Sequence, residues 1–179
     1  MVANLYFGKY KIKKRKIDYM IEIVDEKLLD SNCNFLINIT DIEENIDNKI
    51  ATKYPHVEKE YLIYLKYCRK NKQKIIGTIQ YIPIDTWALI MCDTINNKYV
   101  LEYDKEYQYI VNVFCPEGKI NNKTMIKTFA EISKKAKLIN ATVGILYSNN
   151  KYKKITLNEL QNQCNKIFEG INTKIYLDS

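Results

Sequence analysis

The chain has 179 residues, 46% of them hydrophobic, and 28 Lys and Arg against 21 Asp and Glu give a formal charge of +7. That length fits one domain with a real core, and the apolar share excludes a disordered chain. No apolar run approaches the roughly 20 residues that span a bilayer, and Met1–Lys16 lacks a signal-peptide layout, so a cytoplasmic protein with no membrane partner is expected.

The charge is uneven. Lys9, Lys11, Lys13, Lys14, Arg15 and Lys16 all precede the first acid, and removing those six of the 28 leaves 22 basic residues against 21 acidic. The body is therefore nearly neutral behind a basic arm over residues 1–18. Such an arm attracts phosphate or an acidic partner surface, or serves as an edge strand whose lysines discourage aggregation.

Ile21–Val24 and Phe35–Ile39 read as short buried strands, rich in β-branched and aromatic residues. Glu43–Tyr54 carries Ile46 and Ile50 at helical spacing, and Pro55 stops it. Val57, Tyr61, Tyr64, Leu65 and Cys68 then share one face of a second helix. Ile75–Ile84 alternates as a strand, Trp87–Cys92 reads as another, and Asn96-Asn97 turns into a further strand around Tyr99–Tyr103. Tyr109–Cys115 is apolar enough for a central strand.

A third helix follows, with Asn122 as its cap and Ile126, Phe129, Ile132 and Ala136 as its core stripe. Ala141–Tyr147 is a strand. Thr156-x-x-Glu159 is a capping box that opens the last helix, whose inward residues are Leu160, Cys164, Ile167 and Phe168. Thr173–Leu177 closes the chain as a strand. This alternation predicts a three-layer α/β/α domain around a mixed sheet over residues 19–179.

The five cysteines are widely spaced, with no Cys-x-x-Cys pair, and His56 is the only histidine. Neither a disulfide framework nor a metal centre is expected, and no cofactor.

Four segments together resemble a macro domain of the ADP-ribosyl glycohydrolase-like branch. They are Tyr19–Val24, Lys53-Tyr54-Pro55 with its tyrosine-bearing helix, Tyr109–Phe114, and the closing strand–helix–strand from Ala141 to Tyr176. The resemblance implies a curved sheet between helices with an ADP-ribose cleft at the strand ends.

It also marks departures. Where the family has an acid that holds adenine, this chain has Glu26 and Lys27. The family's asparagine and glycine loop around the distal ribose matches Asp41-Ile42-Glu43-Glu44-Asn45, which has no glycine and would repel a diphosphate. The second phosphate loop matches Ser148–Lys154, again without glycine, so Lys151, Lys153 and Lys154 attract an anion by charge and not through directed amides. After Phe114 the chain runs Cys115-Pro116-Glu117-Gly118. Side chains in these loops are expected to close the family's pocket. Between Ile84 and Tyr107 the chain adds a longer hairpin with Trp87, Met91, Tyr99 and Tyr103.

Three functions follow as expectations. A non-catalytic macro-like domain would bind a protein partner through Lys13, Lys14, Arg15, Lys16, Trp87, Tyr99 and Tyr103, as an accessory or inhibitor. By analogy it would act in conflict between a phage and its bacterial host, hence in the host cytoplasm. An ADP-ribose-type nucleotide binder or de-ADP-ribosylating hydrolase would use Asp41 and Asn45 near the ribose, Asn112 in the strand motif, and Lys151 and Lys153 near the phosphates. Asp41 would be its general base. Nucleic-acid binding would pair the basic arm with Tyr6, Phe7 and Tyr10.

Overall fold

The computed structural model describes residues 21–44, 46–97 and 107–178. The arm residues Lys13, Lys14, Arg15 and Lys16, together with Asn45, Tyr99 and Tyr103, lie outside them.

Among the described residues six strands form one sheet: β1 (Glu22–Val24), β2 (Phe35–Thr40), β3 (Ile79–Pro83), β4 (Tyr109–Phe114), β5 (Val143–Tyr147) and β6 (Thr173–Leu177). Their spatial order is β1-β6-β5-β2-β4-β3, all neighbours parallel except the antiparallel pair of β4 with edge strand β3. Every residue of β2 and β4 is buried, as two-face coverage requires of central parallel strands.

Five α-helices among the described residues cover the sheet: α1 (Asn48–Lys53), α2 (Pro55–Lys70), α3 (Thr86–Ile90), α4 (Asn122–Ile139) and α5 (Leu157–Ile167). Helices α4 and α5 bury Met125, Phe129, Ile132, Leu160 and Cys164 on one face with Phe35, Ile37 and Val111. On the other, Ile50 of α1 and Val57, Tyr61, Tyr64, Leu65 and Cys68 of α2 pack on Leu36, Ile82, Ile110 and Phe114. The result is the expected three layers. Tyr61 and Tyr64 stack on Phe114 at centroid separations of 5.8 and 5.2 Å, so the tyrosine ladder of α2 is core. His56 spends its Nε2 on the Pro83 carbonyl at 3.1 Å.

The structure corrects several local expectations. Strand β1 is an edge, with Glu22 and Ile23 exposed. The first helix starts only at Asn48, because the Asp47 carboxylate caps it by accepting from the Lys49 N–H at 2.8 Å. Strand β3 starts at Ile79, after a turn in which Gly77 takes φ +79°. Trp87–Cys92 is no strand: the Asp85 carboxylate accepts from the Trp87 N–H at 2.7 Å and opens α3. The cap of α4 is Asn121 and not Asn122, and its buried stripe runs through Met125, leaving Ile126 exposed. The capping box of Thr156 and Glu159 forms as expected.

Candidate functional site

Strands β2 and β5 lie side by side, yet their following helices leave to opposite faces: α1 and α2 to one, α5 to the other. Such a switch point opens a crevice at the carboxyl ends of the strands, where ligands of open α/β sheets bind. Beside it, on the α1 face, is a cavity of about 370 Å³, within the range of small-molecule sites.

The cavity has an apolar floor from Leu36, Ile110, Leu146 and Leu177, with Leu28 and Leu29 as one wall and Ile50 above. Gly144 in β5 makes that wall possible. A Cβ there would meet Leu28 Cδ1 at 2.6 Å and Tyr176 Cε2 at 3.2 Å.

The rim carries Lys27, Lys49 and Lys53 against Asp30, Asp47 and Asp178, so it is electrically balanced. Lys49 and Lys53, one turn apart on α1, reach Asp178 at 3.1 Å and Asp30 at 2.7 Å. Lys53 also donates to the Leu29 carbonyl at 2.6 Å. Its hydrogen bond and charge hold the Asp30 carboxyl below the usual range. Asp178 likewise raises Lys49, and Asp30 raises Lys53.

Asn38, only 8% exposed, also lines the cavity. It begins a buried relay across three strands at one register position. Asn38 Nδ2 donates to Asn112 Oδ1 at 2.9 Å, Asn112 Nδ2 to Gln80 Oε1 at 3.3 Å, and Gln80 Nε2 to the Glu60 carbonyl of α2 at 3.2 Å.

The loops at the crevice are held by their own side chains. Arg69 of α2 pairs with Glu44 and donates to the Ile42 carbonyl at 2.6 Å. Tyr61 Oη donates to the Asp41 carbonyl at 3.1 Å, and burial pushes that phenol up to about 12. The Asp41 carboxylate accepts from the Glu43 N–H at 2.9 Å. Glu44, Glu117 and Lys154 each take a left-handed φ between 54° and 66°, one in each of the three loops at this end. The Lys151 Nζ donates to the Ile39 carbonyl at 3.0 Å. A Cβ on Gly118 would lie 3.9 Å from that Nζ and 3.7 Å from Asp41. Lys151 thus lies across the end of β2, where the three loops meet.

The expected ligand residues therefore separate. Asp41 and Lys151 are brought together beside Gly118, whereas Lys153 is exposed on a segment pinned by the Ile120–Tyr152 bridge. Asn112 is fully buried, and its amide is taken up by Asn38 and Gln80. Lys27 lines the cavity, while Glu26 is exposed. Trp87 stands out, 77% exposed. Lys151 lies at the loop end, and beside it the cavity beneath α1 is open. Sequence reasoning passes over Asn38, although an asparagine in each of two otherwise apolar central strands is the available signal.

Among the described residues no group of three or more His, Cys, Asp or Glu is placed to hold a metal, and no helix is long and apolar enough to cross a membrane.

No protein-family model and no curated protein matches the chain. Solved structures do. The macrodomain of Mycobacterium tuberculosis DarG superposes with a TM-score of 0.60 at 13% identity, over 89% of this chain and 99% of that one. The macrodomain of Thermus aquaticus DarG gives 0.58 at 12%, over 89% and 98%. A macrodomain protein from Streptomyces coelicolor gives 0.63 at 10%, over 89% and 99%. With its six-stranded mixed sheet between two helical layers, the chain has the macrodomain fold.

Proposed function

We propose that this chain is a non-catalytic binding macrodomain that takes an ADP-ribose-related ligand by its nucleoside part, in the cavity beneath α1. The observation that carries this reading is the cavity itself, which has an apolar floor, a balanced rim and a place beside the strand switch point. The pyrophosphate half of an ADP-ribose ligand finds less support. Close approach of phosphate to backbone amides relies on glycine, and the β2–α1 and β5–α5 loops have none. Lys151 already lies at their meeting point.

Hydrolysis needs a base held within reach of a water together with a stabilised leaving group. The Asp41 carboxylate is engaged by the Glu43 N–H, and among the described residues no acid or base is hydrogen-bonded to it. A binding role fits this arrangement better than a catalytic one.

The test is calorimetric titration of adenosine into the wild-type chain and into Leu177→Trp, which adds bulk at a cavity-lining position. Binding to the wild type that Leu177→Trp abolishes, with circular dichroism unchanged, supports the site. Failure to bind, or equal binding to both, overturns it. Release of ADP-ribose from a modified peptide by the wild type would overturn the non-catalytic part.

A second reading, an accessory or inhibitory protein that docks a protein partner, is favoured by α3. Trp87, Ile90 and Met91, in and just after that short helix, are 77%, 77% and 54% exposed. Anchors of this kind dominate interface energetics. Loss of a co-purifying partner on Trp87→Ser, with nucleoside binding retained, would support this reading. Retention of the partner would remove it.

A further inference from the structure

We infer that the outward face of α4 docks the phosphate backbone of duplex nucleic acid, on the side of the sheet opposite the cavity. The inference rests on located charge and is independent of what the cavity takes.

Helix α4 turns Met125, Phe129, Ile132, Ala136 and Ile139 into the core. What it leaves outside is basic. Lys123, Lys127, Lys134 and Lys137 are exposed on it, and Lys119 just ahead of it. Lys153, also exposed, is drawn to the start of the same helix, because its N–H donates to the Ile120 carbonyl at 2.9 Å. Against these six lysines the same segments set two acids, Glu117 and Glu131. Among the described residues none of the six lysines forms an ion pair. On α1, by contrast, Lys49 and Lys53 are both engaged by carboxylates.

A second basic element joins the body on this face. Helix α5 packs beside α4, where Ser133 Oγ donates to the Ile167 carbonyl at 2.7 Å and Gln163 Nε2 to Asn122 Oδ1 at 2.9 Å. The other side of α5 holds Ile21, whose N–H donates to Asn165 Oδ1 and whose carbonyl accepts from Gln161 Nε2, each at 2.9 Å. The acid-free stretch Lys9–Lys16 therefore attaches to the chain at α5. From Lys16 to Ile21 the backbone reaches at most about 18 Å.

The chemistry of the face favours a phosphate backbone over other anionic partners. Lys123 and Lys137 lie about 21 Å apart along the axis, a length over which a duplex carries about a dozen phosphates. A protein interface needs clustered apolar or aromatic anchors. The exposed large apolar side chains of α4 are Ile126 and Leu138, about 18 Å apart along the axis. Single strands are gripped by stacking on aromatic rings, and Phe129, Tyr152 and Phe168 are all buried here. Lysines on phosphates position a duplex without reading its sequence.

The experiment measures fluorescence anisotropy of a labelled DNA duplex of about 20 base pairs between about 50 and 200 mM salt. It compares the wild type with Lys123→Gln/Lys127→Gln/Lys134→Gln and with Lys59→Gln/Lys66→Gln/Lys70→Gln. The second set removes equal charge from exposed positions of α2, on the opposite face. Glutamine keeps helix propensity close to that of lysine. With about five phosphates contacted, the logarithm of wild-type affinity should fall with that of salt at a slope of about −4 to −5. The α4 variant should flatten that slope by about 3, and the α2 variant should leave it unchanged. No binding by the wild type at the lowest salt, or equal flattening by both variants, would overturn the inference. Tighter wild-type binding to polyglutamate or to the single strand than to the duplex would also overturn it, in favour of that partner. Saturating adenosine should not displace the duplex; displacement would move the contact to the cavity and refute the α4 face. Should the α4 variant fold poorly, lysine acetylation of the wild type decides. The duplex should protect Lys123, Lys127 and Lys134 and leave Lys59 and Lys66 reactive, and the reverse pattern would refute the placement.

Discussion

Replacing Asn112 by leucine is the sharpest probe of the relay. The side chain is fully buried and makes both central hydrogen bonds, to Asn38 at 2.9 Å and to Gln80 at 3.3 Å. Leucine is close to it in size, so no large cavity forms. The damage is polar: Asn38 Nδ2 and Gln80 Oε1 both lose their partners. Each orphaned group costs about 1–3 kcal/mol, and added apolar burial returns part of that, for a net loss of about 2–4 kcal/mol. A domain with about 5–15 kcal/mol to spare stays folded. Urea denaturation followed by circular dichroism measures the loss. Adding Gln80→Leu removes one orphan, so the double variant should be less destabilised than the two single losses predict, by about 1–2 kcal/mol. A loss below about 1 kcal/mol for Asn112→Leu, or losses that add to within about 0.5 kcal/mol, would refute a continuous relay.

Three further outcomes are expected. Gly144→Ala should cost about 1–3 kcal/mol, since its methyl would lie 2.6 Å from Leu28 Cδ1; adding Leu28→Ala should relieve part of that cost, and thermal melts of the single and double variants check it. Burial raises Tyr61 and Tyr64 to about 12 in the folded chain, above roughly 10 when unfolded. Their stabilising contribution is therefore whole below pH 10 and falls as pH rises toward 12, by up to about 1.4 kcal/mol per pH unit for each phenol. Tyr64→Phe should flatten that decline in denaturation curves taken between pH 9 and 12. Finally, Cys92 should react first with a thiol reagent at pH 8, because it is only half-buried while Cys33, Cys68, Cys115 and Cys164 are buried. Burial also raises the Cys115 thiol to about 12. Mass spectrometry of the labelled peptides identifies the site.

What is legible in the sequence follows from periodicity and punctuation. The stripe Val57, Tyr61, Tyr64, Leu65 and Cys68 can lie only on one helix face, and the structure buries all five. Thr156 and Glu159 announce a helix start through reciprocal hydrogen bonds, which form. The β2, β4 and β6 segments are apolar or alternating where the sheet needs them.

The misreadings have equally local causes. Trp87-Ala88-Leu89-Ile90-Met91 has a strand-like composition, but α3 is only five residues long, too short to show a helical period, and its one signal is the capping Asp85. Ahead of α1, Glu44 adopts φ 66°, a conformation its residue type does not announce. The candidate site is harder still. In sequence Lys151 looks like a phosphate-seeking lysine, whereas its Nζ reaches back to Ile39, a contact 112 positions away in the chain. Asn38 acquires meaning only once β2 lies beside β4 and Asn112 comes into register with it. Parallel strands are joined by long crossovers and not by tight turns, so no short turn between β2 and β4 announces their register.

The most direct measurement is a calorimetric comparison of ADP-ribose with adenosine on the wild-type chain. If the nucleoside cavity carries recognition and the loops supply no pyrophosphate cradle, ADP-ribose binds no tighter than adenosine. A gain of about a hundredfold for ADP-ribose, worth about 2.7 kcal/mol, would mean that the glycine-free loops still grip the phosphates and that recognition does not rest on the nucleoside alone.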